Sequence, residues 1–318
     1  MKNLFKTIFI AFIAILVTSC DDDNNNSQPQ PPVDNSITGI AVKSPDLSIL
    51  VTALTKADLA KTLQDPGEYT VFAPTNAAFT AFLTANGFSS LDAVPVAALK
   101  QILLNHVVKG KNVSTSLSTG YVSTLATYGT TTNNLSMFIN TTGGVRLNGV
   151  SSVTTADVMA SNGVVHIVDA VIGLPTIVTH TLANPNFSSL KDALTSAGQP
   201  DFVGILSGAG PFTVFAPTNA AFTALTPELV TLGVTVTPAI LTDVLKYHVV
   251  AGANVRSSAL TNNQVVTTYL EKTFTVELPA SGAQIKDGNA RISKIVAVDV
   301  QCSNGVIHAI DKVLLPGS

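Results

Sequence analysis

One long unit is written twice in this chain of 318 residues. The ten residues Thr70–Phe79 recur without change as Thr213–Phe222, and Asn162–Asp169 recur as Asn304–Asp311 with changes only among apolar residues. The offsets between the two copies are 143 and 142 residues. Because the short repeats of solenoid proteins are only roughly 20–50 residues long, a period of this size indicates a whole domain. The sequence therefore predicts two homologous domains.

Domain 1 is predicted over residues 36–175 and domain 2 over residues 176–318, and each begins with helices and continues with strands. In domain 1, Ser44–Asp46 is typical of a helix start, and apolar residues at helical spacing predict a helix from there to about Leu63. From residue 110 to 174 the pattern changes to short alternations of Val, Thr and Ser with Gly-rich turns, which predicts strands. This order indicates an α+β fold, with N-terminal helices packed on a mainly antiparallel β-sheet core in each domain.

Residues 1–19 are predicted to be a signal peptide. Two lysines near the start precede Ile8–Val17, an uninterrupted apolar run of ten residues. A membrane-spanning helix needs about 20 residues, whereas a run of this length is typical of a secretory signal. Small residues directly before Cys20 resemble the lipobox of bacterial lipoproteins, which implies cleavage before Cys20 and attachment of acyl chains to it. The alternative is an ordinary signal peptide in which this cysteine is coincidental.

Residues 20–35 are predicted to form a flexible tether, because Asp, Asn, Gln and Pro offer too little apolar surface to offset the entropy of ordering. The acidic triplet Asp21–Asp23 permits three interpretations. It resembles signals that send lipoproteins to the outer face of the outer membrane in some bacteria, and signals for inner-membrane retention in others. It is also compatible with a plain solvated spacer. We expect an outer-membrane lipoprotein on the cell surface, with a periplasm-facing protein as the alternative.

Composition argues against several classes of function. The formal net charge of −3 provides no basic field for the phosphates of nucleic acid. Tryptophan is absent and only 6% of residues are aromatic, which disfavours stacking platforms for bases or sugars. The sequence contains no phosphate-binding loop, nucleophile elbow or dinucleotide fingerprint. We therefore expect neither an enzyme, nor a cofactor, nor a nucleic-acid partner.

Two pairs of histidines occupy matching positions in the repeats: His106 with His248, and His166 with His308. One hypothesis is a metal or catalytic site that also uses Asp169. A zinc site usually needs three or four protein ligands, and residues three apart on a strand, such as His166 and Asp169, point to opposite faces. We favour the alternative, in which backbone groups bind the ring nitrogens of buried histidines, and we expect no metal.

Thr75 and Asn76 are repeated as Thr218 and Asn219. One hypothesis is a ligand contact. The favoured alternative is a helix cap, with side-chain hydrogen bonds that close the corner between strand and helix. Cys302 has an alanine at its counterpart position in domain 1, and a small apolar counterpart predicts a buried thiol instead of a nucleophile.

The two repeated blocks resemble the two signature boxes of the fasciclin domain. Many members of that family carry a histidine preceded by tyrosine between the boxes. Domain 2 has this pair as Tyr247 and His248, whereas domain 1 departs from it with Asn105 before His106. The resemblance covers residues 36–316.

The resemblance implies a secreted or membrane-attached protein that mediates adhesion by binding proteins, receptors or matrix glycans. In animal members the region around the Tyr-His pair is implicated in integrin binding, which implies a partner-binding role for Tyr247 and His248 and favours domain 2 as the binding domain. The alternative is that Tyr247 only packs beside its helix. We expect a non-enzymatic, extracytoplasmic adhesion or interaction module that is anchored to a bacterial membrane by lipidated Cys20. The alternative function is a surface-displayed carrier of a glycan or a small apolar ligand, which a pocket that differs between the repeats would favour.

Overall fold

The computed structural model describes residues 33–233 and 235–317. The predicted signal peptide, the predicted lipidation site Cys20 and the tether up to residue 32 lie outside the described residues. Among the described helices, no single one is long and apolar enough to cross a membrane. One bent pair, Ile37–Lys43 with Pro45–Lys56, meets that requirement by length and composition alone.

Within residues 36–175, seven strands close into a barrel. The first strand is parallel to the seventh and antiparallel to the second, and the remaining neighbours pair antiparallel. The helices of this domain are α1 Ile37–Lys43, α2 Ser48–Lys56, α3 Asn76–Ala85 and α4 Val96–Leu104, with 3-10 turns at Pro45–Leu47, Leu91–Ala93 and Ser114–Ser116. The strands are β1 Tyr69–Pro74, β2 Val107–Lys109, β3 Gly120–Thr127, β4 Asn134–Asn140, β5 Arg146–Leu147, β6 Ser151–Ala160 and β7 Gly163–Val168.

Domain 2 repeats this architecture with an open sheet. Its helices are α5 Ile177–Ala183, α6 Ser188–Leu194, α7 Phe202–Ser207, α8 Asn219–Leu232 and α9 Pro238–Tyr247, with 3-10 turns at Pro185–Phe187 and Ser257–Ala259. Its strands are β8 Phe212–Pro217, β9 Val249–Ala251, β10 Gln264–Thr267, β11 Thr273–Glu277, β12 Gln284–Lys286, β13 Ile292–Cys302 and β14 Gly305–Ile310. They are ordered β10-β11-β12-β13-β14-β8-β9, and only β8 and β14 are parallel within the described sheet. Helices on a mainly antiparallel sheet, in two tandem domains, confirm the predicted fold class.

The glycine of the second repeated block lies where the backbones of two parallel strands approach each other closely. Gly163 opens β7 opposite Tyr69, and a Cβ atom on Gly163 would lie 2.0 Å from the carbonyl oxygen of Tyr69. Gly305 meets Phe212 in the same way, at 2.1 Å. A side chain at either position would push the parallel strands apart, so both copies need glycine here.

The predicted first long helix begins where expected, with a 3-10 turn from Pro45 and Ser44 at the N-cap position, but it ends early. Helix α2 stops at Lys56, and Asp58 takes a left-handed conformation with φ of 55°. Leu59 and Leu63 are still buried in the turn that follows, so the apolar spacing identified core residues without showing that the helix breaks. Ser44 does not cap with its side chain, because its hydroxyl donates to the carbonyl of Ile40 at 2.9 Å.

Candidate functional sites

The first repeated block forms the corner between β1 and α3, and side-chain hydrogen bonds hold this corner in place. The hydroxyl of Thr75 accepts a hydrogen bond from the amide of Ala78 at 3.2 Å and so caps α3. The side-chain oxygen of Asn76 accepts from the amide of Ile49 at 2.9 Å, and its amide group donates to the carbonyl of Pro45 at 2.9 Å. One asparagine thus fixes the start of α2 against the start of α3.

Domain 2 builds the same corner. Thr218 accepts from the amide of Ala221 at 3.4 Å, and Asn219 accepts from the amide of Ser189 and donates to the carbonyl of Pro185, both at 2.9 Å. The predicted role as cap and corner is therefore confirmed in both copies.

The histidine that follows α4 bridges two backbone segments. Nδ1 of His106 donates to the carbonyl of Ile102 at 2.7 Å, and Nε2 accepts from the amide of Ile172 at 2.9 Å. His248 makes the equivalent bonds in domain 2, at 2.7 and 2.9 Å. Only a neutral ring donates through one nitrogen and accepts through the other. Burial accordingly lowers the pKa of each of these histidines from 6.5 to about 4.

The histidine of the second repeated block is also a backbone bridge. Nε2 of His166 donates to the carbonyl of Asn112 at 2.9 Å, and Nδ1 accepts from the amide of Asp157 at 3.2 Å. His308 makes the matching bonds at 2.9 and 3.4 Å. The ring nitrogens of all four repeated histidines are occupied by backbone groups, which confirms the structural interpretation. Asp169 accepts from the backbone of the neighbouring strand instead of facing His166.

Tyr247 and His248, the predicted partner-binding residues, are both buried. Tyr247 is 0% exposed, its hydroxyl donates to the carbonyl of Thr273 at 2.7 Å, and its ring stands edge-on to Phe274. Burial raises the pKa of Tyr247 to about 12. This placement favours the alternative in which Tyr247 packs beside its helix, and partner contact through these two side chains stays a prediction. In domain 1, Asn105 uses the same position to donate to a backbone carbonyl at 3.0 Å.

A fifth histidine, His180, lies where the domains meet, and its counterpart position in domain 1 is Ile40. It is fully buried, and its ring stands edge-on to Tyr121 at 5.2 Å between ring centroids. The backbone of Ser136 approaches the ring, but neither ring nitrogen meets hydrogen-bond geometry with a described residue. Burial lowers the pKa of His180 to about 3. Cys302 is buried as predicted, and burial raises the pKa of its thiol.

A groove of about 520 Å³ runs along this domain interface. The amide of Gln301 donates to the hydroxyl of Ser136 at 3.0 Å, and Asn184 donates to the hydroxyl of Tyr121 at 3.2 Å, so both domains contribute to the contact. The groove is lined by apolar side chains together with Asn and Thr. The lining residues are Thr119, Gly120, Tyr121, Phe138, Asn140, Thr142, Asn184, Pro185, Asn186, Phe187, Thr218, Val296, Ala297, Val300 and Ala309.

A second cavity, of about 400 Å³, lies between α8 and α9 of domain 2. Its walls are apolar except for a few side chains near the C-terminal segment and along α9. The lining residues are Pro217, Phe222, Leu225, Leu229, Val236, Ile240, Leu241, Asp243, Val244, Leu245, His248, Asn289, Val313, Leu315 and Pro316.

The matching region of domain 1 is filled. Several lining residues of the cavity have buried counterparts of the same residue type there, and three pairs illustrate this. The pairs are Phe222 with Phe79, Val236 with Val94, and Leu241 with Leu99. Val94 is 2% exposed, whereas Val236 is 47% exposed. Phe88 and Leu91, from the α3–α4 connection, pack against the core of domain 1. Because these pairs are identical, the difference between the filled and the open region lies in the connection between the helices, to which domain 1 contributes Phe88 and Leu91.

The repeated corners, the histidine bridges and the parallel strand pair give both domains one scaffold. A family model described as the Fasciclin domain matches that scaffold twice, over residues 45–175 and 185–316. The chain belongs to the fasciclin family. A solved fasciclin domain pair, from the insect cell adhesion molecule Fasciclin I, has a similar fold with a TM-score of 0.54. It is 21% identical and is matched over 97% of its length by 85% of this chain.

Relatives in sequence are found in bacteria and in animals. Protein sll1483 of Synechocystis is 39% identical over 144 residues, which are 44% of this chain and 73% of that protein. The transforming growth factor-beta-induced protein ig-h3 of Sus scrofa is 31% identical over 261 residues, which are 80% of this chain but only 36% of that longer protein. The fasciclin resemblance inferred from the sequence is thereby confirmed.

Proposed function

We propose that this chain is a non-enzymatic, lipid-anchored adhesion module that binds a protein partner outside the cytoplasm. The solved domain pair comes from a cell adhesion molecule, which supports an interaction role for tandem fasciclin domains. The apolar run Ile8–Val17, predicted to be a secretory signal, and the Cys20 that follows it support export and anchoring. The acidic triplet and polar tether after Cys20 support display on the outer face of the outer membrane.

The observation that carries this proposal is the apolar surface of β13 at the interdomain groove. Val296 and Val298 are 56% and 46% exposed, and Val296 lines the groove. Their counterparts in domain 1 are Thr154 and Ala156, so the exposed valines are a property of domain 2. Protein interfaces combine an apolar centre with neighbouring polar groups, and the Asn and Thr side chains of the groove provide the latter.

A positive charge introduced on β13 tests whether its exposed apolar surface binds the partner. We expect Val296→Lys to abolish capture of surface and matrix proteins by the immobilised full chain, because an ammonium group would be desolvated in the contact. The matched control is Thr154→Lys, at the counterpart position in domain 1, which should capture as well as the wild type. Undiminished capture by Val296→Lys would contradict the proposed surface. Capture that survives protease treatment of the extract would point to a glycan instead of a protein.

The anchor is tested by Cys20→Ala. We expect radiolabelled palmitate to be incorporated into the wild type and not into this variant, and the variant to be released from membranes. Equal labelling of both proteins would refute lipidation at Cys20.

Display is tested by adding protease to intact cells. Cleavage in the tether should shed both domains into the medium. Domains that resist until the outer membrane is broken would establish the periplasm-facing alternative.

A further inference from the structure

A carrier of a small apolar ligand is the alternative function for this chain. The cavity between α8 and α9 is a candidate site for that ligand. Its volume of about 400 Å³ falls within the range of roughly 300–1,000 Å³ that small-molecule sites occupy. The cavity is lined by apolar side chains of both helices and of the C-terminal segment, including Phe222, Leu225, Leu241 and Val313. These walls suit an apolar chain or ring.

The charges around the cavity select among apolar ligands. Asp243 is exposed on α9, and it is the one acidic side chain in the described lining, where the ring of His248 is buried and neutral. No lysine or arginine belongs to the described lining. A carboxylate at the mouth attracts a cation and repels an anion. Arg291 donates to the carbonyl of the lining residue Val313 at 3.1 Å, but its guanidinium group is paired with Asp287 and Glu228. The described lining therefore offers no cation that is available to the carboxylate of a fatty acid.

Domain 1 shows that Asp243 is not required by the scaffold. Its counterpart is Gln101, whose side-chain oxygen accepts a hydrogen bond from the amide of Thr127 at 2.9 Å. In domain 1 this position ties α4 to β3, whereas in domain 2 it places a carboxylate beside an open apolar cavity. The two changes, an opened cavity and an acidic rim, occur in the same domain.

We propose that the cavity of domain 2 binds a small apolar amine, with the apolar part between α8 and α9 and the ammonium group beside Asp243. This site is separate from the groove that carries the adhesion function. Loss of either activity therefore leaves the other in place.

Three probes with one apolar chain and different head groups test the ligand class: decylamine, decanol and decanoate. The full chain carrying Cys20→Ala is used, so that no acyl group of its own competes. We expect saturable binding of one decylamine per chain by calorimetry below the micelle concentration. Decanol should bind about two- to fivefold more weakly, because an exposed ion pair contributes little, and decanoate more weakly still. No saturable binding of decylamine, or equal binding of all three probes, would overturn the proposal.

Matched variants locate the site. Leu225→Phe introduces the residue that domain 1 has at the counterpart position, Phe82, and should weaken decylamine binding by at least about tenfold by filling the cavity. Val230→Phe adds the same ring on the outer side of α8, where Val230 is 79% exposed, and should leave binding unchanged. Asp243→Asn does not alter the core, and it should remove the preference for decylamine over decanol. Decylamine binding that survives Leu225→Phe, or a preference that survives Asp243→Asn, would overturn the assignment.

Discussion

The two domains share a backbone scaffold and differ in how their last two helices pack. In domain 1, Val94 and Leu99 are buried, and the α3–α4 connection adds further apolar side chains to the core. In domain 2, Val236 and Leu241 occupy the same positions but line a cavity of about 400 Å³. The signature residues hold the corner and the strands in both copies. The contrast teaches that these signature residues fix the fold, while residues between the boxes decide whether the helix layer is filled or open.

The largest expected effect tests what the domains share, the neutral histidine bridges. In the folded state the pKa of His106 and of His248 is about 4, below the unfolded value of 6.5. Between these values the unfolded chain binds more protons, so the stability is fully present above about pH 6.5 and is lost as the pH falls toward 4. Each histidine should contribute a loss of about 3 kcal/mol over that window.

Chemical denaturation at about pH 7 and about pH 5 measures about half of this loss, roughly 2 kcal/mol for each histidine, in a range where most carboxylates stay ionised. Replacing His106 or His248 by Asn should reduce the pH dependence by similar amounts. A slope that is unchanged in either variant would show that the two bridges are not equivalent.

The next effect tests where the domains differ. Leu99→Ala removes a buried side chain from a filled core and should lower the free energy of unfolding by about 2–5 kcal/mol. Leu241→Ala, at the counterpart position, enlarges a space that is already open. It should lower the free energy of unfolding by only about 1–2 kcal/mol. Thermal or urea unfolding of the two variants gives the comparison. Equal costs would break the contrast between a filled and an open helix layer.

Replacing the corner asparagine should lower the free energy of unfolding by the same amount in both domains. Asn76→Ala and Asn219→Ala each remove hydrogen bonds to two backbone groups, and each should destabilise its domain by about 1–3 kcal/mol. Urea unfolding measures both. A large loss of stability in only one domain would mean that the two identical sequences do not stabilise their domains in the same way.

The smallest effect concerns Tyr247. Tyr247→Phe removes the hydrogen bond to the carbonyl of Thr273 and should cost about 1 kcal/mol of stability without altering partner capture. The same variant decides the predicted partner contact. Capture that is lost while stability is unchanged would assign Tyr247 to the binding surface after all.

Much of the scaffold follows from sequence because it is repeated. The corner role of Asn76 and the backbone bridges of His166 and His308 were predictable, since identical residues at equal spacing indicate the same local structure twice. The end of α2 at Lys56 was not, because Leu59 and Leu63 keep helical spacing after the helix has stopped.

The open sites were not predictable from the repeats. The cavity depends on how α8 and α9 pack, and the apolar residues that line it resemble core residues of domain 1. Two signals were present in the sequence: Asp243 opposite Gln101 and Val296 opposite Thr154. In each pair the polarity or charge of the side chain differs between the repeats. Such a difference indicates a site only where the residue is exposed, and the sequence pattern does not show exposure. His180 was not predictable either, since its counterpart is Ile40 and its contact is with Tyr121 of the other domain.

Xenon distinguishes the open helix layer of domain 2 from the filled one of domain 1, because apolar cavities take up xenon. Crystals of the chain should be pressurised with xenon and the atoms located by their anomalous scattering. We expect xenon between α8 and α9, within contact of Leu225 and Leu241, and none at the matching place between α3 and α4. Xenon between α3 and α4, or its absence from between α8 and α9, would show that the two helix layers do not differ in this way.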